Sequence, residues 1–144
     1  MNMFGSGRTV ADVAVDITVE CVDQNGQRHE IDTVLGYRRT DPYAVSMTFV
    51  TGDGSLVWTF GRDLLSRGTL APNGDGDVAV FPGIDGHGRA VVNIELSSPD
   101  GHLLLEARAE SVAEFISRTT EVVPEGHESE HLDVDQLIAE LLAS

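Results

Sequence analysis

Two histidines four residues apart are the spacing in this sequence that comes nearest to a metal site. On a helix, His127 and His131 would share one face and could bind a metal ion together with Asp133 or a neighbouring glutamate. Pro124 and Gly126 interrupt a helix at this point, so the segment is more typical of a solvated polar connector. We therefore predict a connector with no metal ligand, and keep the metal site as the alternative.

A second run imitates the start of a calcium-binding loop. Residues 73–77 alternate acidic or amide side chains with glycine. In an EF-hand loop the sixth position is glycine and the twelfth is a bidentate glutamate, but here these positions hold Val78 and Ile84. Both the sharp turn and the closing ligand are thus missing, and we predict a tight turn instead.

The remaining catalytic patterns are absent from the sequence. A phosphate-binding Walker loop requires lysine, and the chain has none; neither G-x-S-x-G nor a G-x-G-x-x-G after a strand occurs. Cys21 is the one cysteine and falls at an apolar position of a strand pattern, which indicates a small buried side chain. Carboxylates are abundant, but the sequence shows no pocket that would separate the pKa values of a pair. We predict a protein that is not an enzyme and holds no cofactor.

The charge balance argues against polyanionic partners. Asp and Glu number 24 against 9 Arg, giving a net charge of -15. Such a surface repels nucleic acid and anionic lipid, and it favours basic faces of partner proteins. The sequence has no apolar run of membrane-spanning length and no apolar segment typical of a signal peptide, so we expect a cytoplasmic protein without direct membrane insertion.

Period-two alternation dominates the first three quarters of the chain. Val13 to Cys21 alternates apolar and polar residues, and similar strands are expected up to Arg108, separated by Gly-, Asp- and Pro-rich turns. A short helix is expected over Gly61 to Gly68. The predicted strands are residues 13–21, 27–38, 43–49, 56–60, 77–81, 90–97 and 102–108. Two strand runs, each followed by a helix, indicate a duplicated plan.

The period then changes to that of a helix. Ser111 and Glu114 form a capping-box pattern at the start of one helix, and Asp133 with Gln136 forms another at the start of the last. We predict an α+β fold: antiparallel β-sheets of about seven strands, one short helix and two C-terminal helices. Residues 1–12 are predicted to be a flexible tail, and 13–144 a single domain.

The last helix carries one apolar stripe that allows two interpretations. It would cover the protein's own sheet, or it would lie in a groove of a partner. The stripe consists of Val134, Leu137, Ile138, Leu141 and Leu142.

Several strings, in this order and spacing, give the chain a specific resemblance. They run from Leu35-Gly36-Tyr37-Arg38 through Val57-Trp58-Thr59-Phe60-Gly61-Arg62-Asp63-Leu64-Leu65 to Leu96-Ser97-Ser98-Pro99-Asp100-Gly101 and Val123-Pro124-Glu125-Gly126. With them the chain resembles the SsgA-like sporulation and cell-division regulators of actinomycetes, most closely the SsgB branch. The positions that match the family motif are Asp41, Pro42, Tyr43, Trp58, Gly61, Arg62, Leu64, Leu65, Gly68, Gly74, Gly76 and Asp77.

The resemblance implies a function that the residues alone do not give. It implies a non-catalytic regulator of septum-site selection that recruits the division GTPase FtsZ, works with an SsgA-type protein and is located at division septa. It also implies a homotrimer with a fold similar to the Whirly and mitochondrial RNA-binding proteins.

That fold similarity raises an alternative function, the binding of single-stranded nucleic acid. An aromatic platform beside arginine would be needed, and Trp58 with Arg62 is the candidate. For the adaptor function, the helix from Arg62 to Arg67, with its local charge, is the first face to consider.

Overall fold

The computed structural model describes residues 11–132 and 134–143, and every strand within them joins one antiparallel sheet. The sheet has eight strands and is accompanied by three α-helices and one short 3-10 helix. The strands are β1 (Val13–Val22), β2 (Arg28–Tyr37), β3 (Ala44–Thr51), β4 (Gly54–Gly61), β5 (Asn73–Asp75), β6 (Val78–Ile84), β7 (Ala90–Ser98) and β8 (Gly101–Arg108). The helices are α1 (Arg62–Gly68), α2 (Ala109–Val122), the 3-10 helix (Glu128–His131) and α3 (Val134–Ala143).

The strand order reveals two similar halves. It runs β4-β3-β2-β1-β8-β7-β6-β5, so each half is a four-strand meander that ends in a helix. The halves meet where β1 pairs with β8, over Glu20–Val22 and Leu104–Glu106. This seam is short compared with the ten-residue pairing of β1 with β2, and the sheet curls around a shared core. The duplicated plan inferred from the sequence is therefore the plan of the fold.

The core lies on the inner face of the curled sheet. Alternation along β1 sends Val13, Val19 and Cys21 inward, as predicted, and Cys21 is buried. The apolar face of α2 closes the core from above through Val112 and Phe115, both fully buried. Each half thus contributes alternate strand residues, and α2 covers them.

The sequence prediction missed one strand. β5 occupies Asn73–Asp75 and pairs with β6 through a turn in which Gly76 adopts a φ of +60°. The tight turn was predicted correctly, but the seven-strand count was wrong. Asn, Gly and Asp are poor strand formers, and here backbone pairing with β6 holds them extended.

The predicted start of α2 was also wrong. The helix begins at Ala109, and no side chain caps it, so Ser111 lies within the first turn. The reason is that β8 runs directly into the helix: Arg108 is still paired with Val91 in the sheet when the chain turns. The predicted cap at Asp133, like most of the predicted tail, lies outside the described residues. β1 begins at Val13.

Helix α1 packs directly against β6 at its last residue. Gly68 is buried, and a Cβ built on it would overlap the side chain of Val80 and touch its backbone. Only glycine allows the helix to approach the strand this closely.

We expect Gly68→Ala to lower the free energy of unfolding by about 2 kcal/mol, because the added methyl group must push α1 away from β6. Urea denaturation measures the change. Gly74→Ala is the matched control: its Cβ would make only ordinary contacts, at 3.7 Å from the Val78 carbonyl oxygen. Equal stability of the two variants would show that the packing of α1 against β6 does not require glycine at position 68.

Candidate protein-binding surface and its scaffold

A buried arginine connects the two halves of the fold. Arg62, the first residue of α1, is only 2% exposed. Its Nη1 donates hydrogen bonds to the carbonyl oxygens of Thr119 at 3.2 Å and Val123 at 2.7 Å, at the end of α2. The Thr119 carbonyl also accepts the Val123 amide at 2.9 Å, so Arg62 is its second partner. The guanidinium thus places positive charge at the C-terminal end of α2, where the helix dipole favours it.

The same guanidinium also holds the segment that follows α2. Its Nη2 donates to Oε2 of Glu128 at 2.7 Å, and Oε1 of Glu128 accepts from the Gly126 amide at 2.9 Å. The Glu128 side chain is 15% exposed. The hydrogen bond from Arg62 is the main cause that lowers the pKa of the Glu128 carboxyl.

An aromatic ring completes this environment. The guanidinium carbon of Arg62 lies 4.9 Å from the centre of the Tyr37 ring, a cation–π distance. The Tyr37 hydroxyl donates to the Pro42 carbonyl at 2.9 Å, and the Arg62 amide donates to the Tyr43 carbonyl at 2.8 Å. Burial raises the pKa of the Tyr37 hydroxyl, and the nearby Arg62 charge opposes that rise. The Asp41 to Tyr43 loop and α1 are thereby joined.

These contacts correct two expectations for Arg62. It is not part of an exposed charged face, because only Asp63 and Arg67 on that helix are exposed, and they pair with each other at 3.1 Å. It cannot serve nucleic acid beside Trp58 either, since its guanidinium is buried and already bound to protein groups. The proposed stacking platform is therefore not formed.

Sequence reasoning missed the partners of Arg62. Tyr37 and Glu128 stand far from it in the chain, and two of its acceptors are backbone carbonyls, which have no sequence signature. The sequence gives no signal that separates the two neighbouring charges, because Asp63 follows Arg62 in the same segment and is exposed.

The other motif positions divide into a buried and an exposed set. Leu64 and Leu65 belong to the core with Gly68 beneath them, and Pro42 is buried in its loop. Gly61 and Trp58 are half-buried. The exposed set is Asp41, Tyr43, Gly74, Gly76 and Asp77.

The histidine segment is a connector, as predicted. His131 ends the 3-10 helix, and Nδ1 of His127 lies 2.7 Å from Oε2 of Glu130. Within residues 11–132 and 134–143, no three His, Cys, Asp or Glu side chains are arranged to hold a metal ion.

Helix α3 does not cover the sheet. None of its described residues is buried, so the interpretation that it packs on its own domain is wrong for the described structure. Its apolar side chains are 48–81% exposed: Val134, Leu137, Ile138, Leu141 and Leu142. An amphipathic helix with such exposure is typical of a segment that packs against another protein. No helix in the described part of the chain is long and apolar enough to cross a membrane.

A second apolar feature lies where the curled sheet opens. Phe49 of β3 and Leu56 and Trp58 of β4 face Leu96 of β7 and Leu103 of β8 across a groove of about 390 Å³. Its rim includes Asp100 of the β7–β8 turn and His102 of β8. Leu56, Trp58 and Phe60 lie on one face of β4, but Leu56 is 66% exposed whereas Phe60 is buried.

These features define an acidic α+β protein that presents apolar surface to its surroundings. A family model described as "Streptomyces sporulation and cell division protein, SsgA" matches residues 31–128. The chain belongs to this family, which consists of sporulation and cell-division regulators and is not known as enzymatic.

Named relatives agree with this membership. The chain is 42% identical to the sporulation-specific cell division protein SsgB of Kineococcus radiotolerans over 133 residues, which is 92% of this chain and 81% of that protein. It is 48% identical to SsgB of Streptomyces coelicolor over 110 residues, 76% of this chain and 80% of that protein. These names support a role in cell division during sporulation.

Solved structures extend the similarity to the fold. The SsgA-like sporulation-specific cell division protein of Thermobifida fusca superposes with a TM-score of 0.80 at 36% identity, covering 89% of this chain and 93% of that one. A structure described by the words "Mutations in SsgB correlate to longitudinal cell division during sporulation of Streptomyces coelicolor" has a TM-score of 0.77 at 42% identity, covering 83% of this chain and 94% of that one.

We expect Arg62→Met to lower the free energy of unfolding by about 3 kcal/mol, because it leaves the Val123 carbonyl and the Glu128 carboxylate without their buried positive partner. Arg67→Met is the control on the same helix and should cost about 0.5 kcal/mol or less, since its ion pair is exposed. Urea unfolding of both variants measures the difference, and similar losses would contradict the role assigned to Arg62.

The pKa of Glu128 predicts a pH dependence. Because folding lowers this pKa, its ion pair stabilises the protein above the ordinary value of 4.5, and this stability disappears as pH falls through the lower folded pKa. Glu128→Gln should therefore lose less stability than the wild type between pH 6 and pH 3, roughly the range over which such a carboxyl titrates.

Urea titrations across that pH range isolate the effect. Asp23, through its hydrogen bond with His29, and Asp85, through the Arg89 amide, also have lowered pKa values, but both are common to the two proteins. Parallel stability profiles would show that the Arg62–Glu128 pair does not respond to pH.

Proposed function

We propose that this protein is a non-catalytic adaptor in sporulation-specific cell division, and that it brings the division GTPase FtsZ to septum sites through direct protein contacts. The observation that carries the proposal is α3, a helix of an otherwise well-packed domain whose whole apolar stripe is exposed. Membership in a family of cell-division proteins gives that surface its context.

The residues of α3 indicate what kind of partner surface the helix would bind. The helix adds Asp135 and Glu140 to its apolar stripe and has no basic residue, and the connector before it carries further glutamates. A complementary surface is an apolar groove with basic residues at its rim. Arg62 supports this role indirectly, because through Glu128 it fixes the connector from which α3 extends.

The fuller proposal includes the assembly and its location. An adaptor of this kind would act in the cytoplasm at division septa, as a homotrimer, together with an SsgA-type protein. Three copies of α3 in one assembly would raise the effective concentration of weak contacts along an FtsZ polymer.

The test is co-sedimentation of the purified protein with polymerised FtsZ from the same source, using an unrelated acidic protein of matched charge as control. We expect specific co-pelleting of the wild type. The double variant Leu137→Ser, Ile138→Ser should bind at least about tenfold more weakly, since two half-exposed apolar anchors are lost.

A control variant separates α3 from general surface hydrophobicity. Leu70→Ser changes another apolar side chain, 85% exposed and outside α3, and should co-pellet like the wild type. Wild-type protein that stays in the supernatant would contradict direct recruitment. An α3 variant that pellets normally would contradict α3 as the contact.

A further inference from the structure

The two edges of the sheet differ in how they are protected. β5 forms one edge and is only three residues long, with an aspartate at its end. β4 forms the other edge over eight residues, Gly54–Gly61, with no charged residue and no proline. Soluble proteins usually shorten edge strands or place charge or proline on them, because an open edge recruits further strands. In a chain with 33 charged residues out of 144 (24 acidic plus 9 basic), an uncharged long edge is unusual.

The pairing of β4 with β3 shows which backbone groups face outward. The Arg62 amide donates to the Tyr43 carbonyl, so positions 62 and 43 form a hydrogen-bonded pair. Such pairs alternate along an antiparallel ladder, which assigns Phe60, Trp58 and Leu56 to bonds with β3. Ser55, Val57 and Thr59 then direct their N–H and C=O groups away from the sheet, and no strand pairs with β4 on that side within the described residues.

The groove lies beside this edge on the inner face. Leu56 and Trp58 form its β4 wall, and Leu96 and Leu103 form the opposite wall. A strand added next to β4 would continue the pleat, so every second side chain would point towards this apolar groove. The free backbone edge of β4 could thus bind the backbone of an extended peptide, while the groove binds the apolar side chains at its alternate positions.

We propose that the β4 edge binds an extended segment of a partner protein by strand addition. The segment has apolar residues at alternate positions and Lys or Arg beside them. The charge requirement follows from Asp53, exposed in the turn before β4, and Asp100 at the groove rim, within a protein of net charge -15. The same charge opposes a second copy of this chain as the occupant. The inference rests on the proposed function only in assuming a protein partner; it adds a second contact surface, separate from α3.

A synthetic peptide of alternating valine and threonine, with two lysines at each end and a fluorescent label, is the probe. We expect it to bind the wild-type protein in an anisotropy titration. The same peptide with N-methyl groups on alternate backbone amides should bind at least about tenfold more weakly, because it cannot complete the ladder. A version with glutamates in place of the lysines should also bind more weakly, because the surroundings of the groove are acidic. Equal binding of the three peptides would overturn the proposal.

Thr59 offers a matched pair of protein variants. Thr59→Pro removes an outward N–H while leaving the bonds to β3, and Thr59→Val keeps the N–H with a side chain of similar size. We expect Thr59→Pro to lose at least about tenfold in peptide affinity and Thr59→Val to bind like the wild type. Circular dichroism and thermal unfolding check that both fold; if Thr59→Pro does not, the N-methylated peptide on wild-type protein decides.

Two further measurements separate strand addition by a partner from self-association at the same edge and from the FtsZ proposal. If sedimentation velocity shows self-association that Thr59→Pro abolishes, the edge serves a second copy, and a heterologous strand is refuted. Co-sedimentation with FtsZ and binding of the peptide are separate measurements, so each can fail while the other succeeds. Failure of the wild type to pellet with FtsZ, alongside tight peptide binding, would reject the FtsZ proposal and leave strand addition supported.

Discussion

The architecture depends on satisfying one buried positive charge. A guanidinium removed from water is stable only when its donors are met, and Arg62 meets them with two helix-end carbonyls, a carboxylate and an aromatic face. These groups belong to α2, to the connector after it and to β2, whereas Arg62 itself begins α1. One side chain therefore fixes the relation between the two strand-and-helix halves, whose direct pairing through β1 and β8 is short.

This scaffold explains how a small domain can leave apolar surface uncovered and still be well packed. The core is closed by α2 and α1, so neither α3 nor the groove beside β4 is required to bury it. Both features are then available for contacts with other molecules. Their surroundings are acidic, which favours solubility and selects against acidic partners. The adaptor function proposed above would use both of these exposed apolar features, one a helix and the other a strand edge, on a rigid centre.

The similarity to SsgB proteins supports a role in sporulation-specific cell division. The positions that match the family motif include residues that hold the fold together and one that lines the groove. Arg62, Leu64, Leu65 and Gly68 form the junction of helix and sheet, and Trp58 lines the groove. Motif residues of the first kind would affect function through stability, and Trp58 through contact. The nucleic-acid alternative has lost its candidate platform, because the arginine that it required beside Trp58 is bound inside the protein.

The sequence by itself determined the class of the fold, most strands, the buried thiol and the acidic character, because alternation, turn residues and net charge are local or additive properties. It also specified the family through the order of its motifs. Only the tertiary structure decided the rest. β5 is a strand because β6 pairs with it, and α2 starts where β8 ends. Arg62 is internal because hydrogen-bond acceptors 57 to 66 residues away surround it. None of the described residues of α3 is buried, although its sequence pattern equally allowed it to cover the sheet. These features depend on contacts between elements, which the pattern of a single segment does not encode.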